Sequence, residues 1–107
     1  MAPKHLGTEV LLGGGEFIFP GLSARQMRQL TEAGELEQLQ RIGSVPTAPE
    51  MALLFRIVLD VFQRNYTEMS KDFLEENVSV GGAMELLKMA FSESRMRRDG
   101  GPKATAP

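Results

Sequence analysis

His5 is the only histidine in this 107-residue sequence, and so the only side chain whose ordinary pKa suits proton transfer near neutrality. No serine or carboxylate stands beside it at a nucleophile or metal-ligand spacing, so it reads as a solvated residue of a flexible N-terminal stretch, 1–7. Gly13-Gly14-Gly15 lacks the lysine and hydroxyl residue of a phosphate-binding loop and sits between two strand-like runs, which makes it a turn. The carboxylates Glu32, Glu35 and Glu37, and again Asp72, Glu75 and Glu76, have no apolar pocket around them of the kind that tunes a general acid or base, and read as solvated helix faces. Arg56, Asp60 and Arg64 alternate in charge at a spacing of four, which predicts a surface ion-pair stripe or a polar contact with a partner. Cysteine is absent, which removes thiolate nucleophiles, thiolate metal sites and disulfides together. These residues predict no enzyme, no metal and no cofactor.

The remaining charge is balanced. Twelve basic and fourteen acidic residues give a net charge of -2, so no overall positive field draws the chain to nucleic acid. Arg25, Arg28 and the cluster Arg95, Arg97, Arg98 and Lys103 form the alternative of a small helical nucleic-acid binder, but no aromatic is interleaved to stack on bases. Hydrophobic residues make up 42% and charged residues 24%, enough apolar content for one packed domain. The longest apolar run, Met51 to Phe62, is broken by Arg56 and Asp60 and is too short to span a bilayer, and the N-terminus lacks a signal-peptide core.

With no chemistry to position, the elements matter for the surfaces they present. The runs in 8–19 predict a β-hairpin closed at the glycines, both runs being apolar enough to suggest that each face of the ribbon is covered. Ser23 with Gln26 forms a capping box and Leu22 a staple onto Met27, opening a helix over about 23–42. Within it Met27, Leu30 and Ala33 share one face, Leu36, Leu39 and Ile42 another half a turn away, and Gly34 predicts a break between them. Thr47 with Glu50 caps a central helix over 48–65, apolar almost all round. Ser70 caps a short helix over 70–77, and a last helix over 79–94 carries the stripe Val80, Ala83, Met84, Leu87, Ala90 and Phe91, with Leu86 and Met89 off it. Residues 95–107 read as a disordered tail. The expected fold is mainly α: a single small domain over 8–94 of about four helices with an N-terminal hairpin.

Six methionines besides Met1, at positions 27, 51, 69, 84, 89 and 96, are many for so small a domain, and thioethers repack readily against varied apolar partners. A protein-binding strip is therefore expected, drawn from apolar residues surplus to the core: Met51 and Phe62 on the central helix, Leu86 and Met89 on the last.

Val10-Leu-Leu-Gly-Gly-Gly-Glu-Phe followed by Pro20-Gly-Leu-Ser, then Arg64-Asn-Tyr-Thr-Glu-Met-Ser to Leu74, resembles the tail assembly chaperones of tailed bacteriophages over residues 8 to 91. Thr67 stands where that family commonly has a proline. The resemblance implies a role without a catalytic residue: binding the long helical tape measure protein, keeping it soluble in the host cytoplasm, and helping recruit tail tube subunits. A structural or connector subunit of a viral assembly, using the same apolar helices as homo-oligomer interfaces, is the alternative.

Overall fold

The computed structural model describes the backbone of residues 5–103 and the side chains of 5–92. Two strands, β1 (Thr8–Leu12) and β2 (Gly15–Phe19), precede five helices: α1 (Ala24–Glu32), α2 (Glu35–Gln40), α3 (Ala48–Phe62), α4 (Lys71–Asn77) and α5 (Val80–Lys103). The protein is mainly helical with an antiparallel N-terminal hairpin.

The hairpin turns on Gly13 and Gly14, at φ 54° and 85°. Two consecutive positive φ values are what a two-residue loop needs to match the twist of its strands, and glycine reaches them without a steric cost. Leu12 then pairs with Gly15, Val10 with Phe17 and Thr8 with Phe19. Val10, Leu12, Phe17 and Phe19 turn inward, whereas Glu9, Leu11 and Glu16 turn out, and Leu11 is 74% exposed. Among the described residues one face of the ribbon packs on the helices, and nothing covers the other.

The helix starts follow local chemistry. Ser23 Oγ accepts from the Gln26 N–H while Gln26 Oε1 accepts from the Ser23 N–H, and Thr47 and Glu50 repeat the arrangement on α3, where a proline in the first turn lacks no needed donor. Ser70 Oγ caps α4 through the Phe73 N–H, and Ser79 Oγ caps α5 through the Gly82 N–H. Gly34, at φ 73°, divides the first helical stretch into α1 and α2. Helix α5 continues past its expected end at 94; the side chains from 93 onward and residues 104–107, on which the expected disordered tail falls, lie outside the described residues.

Helix α3 runs through the middle of the core. Leu54, Phe55, Ile57, Val58, Val61 and Phe62 are buried, with α5 across one side through Ala83, Leu86 and Ala90 and the hairpin closing one end through Phe17 and Phe19. Phe62 stacks edge-on against Phe19 at 4.7 Å between ring centres and against Phe17 at 6.4 Å, and Phe17 meets Tyr66 at 5.1 Å. Among the described residues no polar or charged residue is buried.

The turn after α3 is a latch. Tyr66 Oη accepts the Ile18 N–H at 2.7 Å, and Asn65 Nδ2 donates to the Ile18 carbonyl at 3.2 Å. Asn65 also accepts the His5 N–H at 2.7 Å and donates to the His5 carbonyl at 2.9 Å, while Arg64 reaches His5 Nδ1 at 3.3 Å and the Gly21 carbonyl. His5 is therefore not simply solvated: its backbone is held by one asparagine on a distant turn.

Candidate protein-binding groove

Helices α2, α3 and α5 meet imperfectly. Leu39 and Ile42 come from the second face of the first helical stretch, Leu54 from α3, and Met84, Leu87 and Phe91 from α5, and together they line a shallow apolar groove of about 260 Å³ with Gln40 and Lys88 at its margin. The reason is geometric. In α5 the positions Ala83, Leu86 and Ala90 point directly at α3, and two of the three are alanines that let the helices approach closely. Met84, Leu87 and Phe91 lie on the neighbouring stripe, where only the short α2 remains to cover them, and they stay half-buried. Lys88 extends outward, 3.8 Å from Glu85.

Two of the four residues expected to bind a partner are withdrawn into the core. Phe62 is 0% exposed, sealed by Phe17 and Phe19, and Leu86 is 5% exposed because the off-stripe face of α5 is the one that meets α3. Met89 is half-buried against the core, and Met51, half-buried at the start of α3, stands one turn before Leu54. None of the four lines the groove. Of the residues that do, helical spacing predicts Leu39 and Ile42 on one face and Met84, Leu87 and Phe91 on the main stripe of the last helix, but not that the two meet.

The charged stripe is rearranged too. Arg56 pairs with Glu35 on α2, at 2.5 Å, rather than chiefly with Asp60. Arg64 turns to Gly21 and His5. A small polar cleft of about 50 Å³ results, bounded by Gln26, Gln29, Glu35, Arg56 and Asp60 over Leu22, Leu30 and Ile57. Gln26 closes it by donating to the Asp60 carbonyl at 3.0 Å. The hydrogen bond to Glu35 raises the Arg56 pKa further, keeping it cationic. Partial desolvation holds the Asp60 carboxyl above its usual 3.8, with Arg56 opposing the shift and Glu35 adding to it.

That direction fixes a pH dependence. A carboxyl raised by folding binds its proton more tightly in the native state, so its contribution to stability is complete below about 3.8 and is lost as pH climbs through the raised native value. Asp60→Asn is expected to raise the urea midpoint at pH 7, with the advantage over the parent protein shrinking as pH falls towards 4. A constant offset across that range would refute the assignment.

Among the described residues no group of acidic or histidine side chains could hold a metal ion, and no helix is long and apolar enough to cross a membrane. No known family, no curated protein and no solved structure matches the chain.

Proposed function

We propose that this protein is a tail assembly chaperone of a tailed bacteriophage, holding an apolar helical stripe of the tape measure protein in the α2–α3–α5 groove and keeping it soluble in the host cytoplasm until tail tube subunits are recruited. The observation that carries the reading is the groove itself: Ile42, Met84, Leu87 and Phe91 are left half-covered over a floor of buried Leu39 and Leu54, with only Gln40 and Lys88 as polar margin. A site for a small metabolite would need convergent polar groups to fix its orientation. This one offers apolar walls and a methionine, Met84, which suits the anchors a helix presents at i, i+3 or i+4 and i+7. Masking such a stripe opposes aggregation at about 25 cal/mol per Å² covered, and the shallow depth leaves the net affinity low enough for release.

Co-expression with helical fragments of a tape measure protein is expected to raise their soluble yield and to co-purify them. Leu87→Glu places a charge on the groove wall at a half-buried position beside the core, and should weaken binding on the order of 10- to 100-fold in a protein whose urea midpoint shows it still folded. Soluble yield unchanged by co-expression, or fragment binding by Leu87→Glu equal to that of the parent protein, would overturn the reading. A single ring of fixed size at every concentration would favour a structural subunit instead.

A further inference from the structure

The two edges of the hairpin are treated differently. On β2 the outward N–H and C=O of Ile18 are taken by Tyr66 Oη and Asn65 Nδ2, so that edge is plugged at Ile18 by the turn after α3, leaving only Glu16, next to the glycine turn. In an antiparallel pair, residues opposite each other share the same orientation of their backbone groups, so Glu9, which faces Ile18, also points its N–H and C=O outward, and Leu11 follows two residues on. These groups meet no partner among the described residues. The strand is lightly guarded for an exposed edge: Glu9 is its one charged residue, and there is no lysine, no proline and no bulge between Thr8 and Leu12. β2 packs closely on α3, while β1 adds Leu12 and Val10 to the core.

We propose that β1 pairs antiparallel with β1 of a second copy about a two-fold axis at Val10, joining two hairpins into one four-stranded sheet. In that register Glu9 of each copy lies opposite Leu11 of the other, and both outward pairs of backbone groups on each strand find partners. Shifting the axis to Glu9 would set two glutamates face to face, and shifting it to Leu11 would place Glu9 against the glycine turn. On the inner face the two Val10 side chains become close neighbours, and the row Phe17, Val10 continues into its symmetric counterpart, which an arbitrary extended peptide would not supply. The 74% exposure of Leu11 falls on the outer face. Because the β2 edge is plugged, addition stops at two copies. The surface shares no residue with the groove, so it stands or falls apart from the chaperone reading.

Sedimentation equilibrium of the full chain should show the mass rising with concentration from one copy to two and no further, while the Glu9 and Leu11 amides gain protection from hydrogen exchange in step. Leu11→Glu, at a position that adds nothing to the core, should weaken the dimer on the order of tenfold by opposing Glu9 of the second copy. Leu11→Lys, or the pair Glu9→Lys with Leu11→Glu, should retain it by setting opposite charges across the axis. A single-copy mass at every concentration, assembly beyond two, a dimer indifferent to Leu11→Glu, or protection that appears only when an extended foreign peptide is added would each overturn the proposal.

Discussion

Phe62→Ala should lower the free energy of unfolding by about 3–5 kcal/mol, read from urea denaturation, because the vacated ring space is walled on every side. Phe62 is fully buried, and its ring is gripped by Phe19 at 4.7 Å and Phe17 at 6.4 Å. The hairpin reaches the helices largely through those rings, so the cavity would sit where strand and helix meet and could not close without moving the strand. Small domains have a total stability of about 5–15 kcal/mol, so a large share of that margin would go. Any loss of client binding by this variant would report unfolding rather than a lost contact. A cost below about 1 kcal/mol would mean that the hairpin docks elsewhere.

Gly7→Ala should cost about 2–3 kcal/mol, far more than an exposed alanine normally does. An added Cβ would lie 2.6 Å from the Phe19 carbonyl carbon and 2.7 Å from Pro20 Cα, and closer still to the Phe19 carbonyl oxygen. All three neighbours are backbone, so no side chain can swing away, and either the Asn65 bonds to His5 or the Thr8–Phe19 pair must yield. Thermal unfolding of the variant, with hydrogen exchange at His5 and Thr8, would show which. Gly14→Ala is a different case: nothing lies within 4 Å of an added Cβ, and the strain there comes from φ 85° alone.

The contrast between these sites shows what was legible from residues in order. Capping boxes at Ser23–Gln26 and Thr47–Glu50 close within one turn, the glycine pair closes within four residues, and Gly34 breaks a helix by its own conformation; each is local physics and reads directly. Burial of Phe62 and Leu86 is not local. The almost fully apolar surround of α3 leaves every direction open until the hairpin takes one and α5 another, and the choice between the Leu86 face and the Leu87 face of α5 is made by which alanines permit close approach. The partner of His5, Asn65, is 60 residues away, so no local pattern announces it. The groove is half legible: the face of Leu39 and Ile42 follows from helical spacing, but not that α5 leaves it incompletely covered.

That no polar side chain is buried among the described residues has a bearing on how this protein could change over generations. Volume-conserving exchanges among Leu, Ile, Met, Val and Phe usually cost less than about 1.5 kcal/mol each, so lineages could rewrite such a core in small tolerated steps while the backbone held. Identity would erode fastest where most of the hydrophobic letters are. What would persist are the few positions tied to backbone atoms: the glycine pair of the turn, the two capping boxes, and Asn65 with Tyr66. A distant cousin is to be recognised by that sparse punctuation, and a search weighted on it would reach further than one weighted on the core.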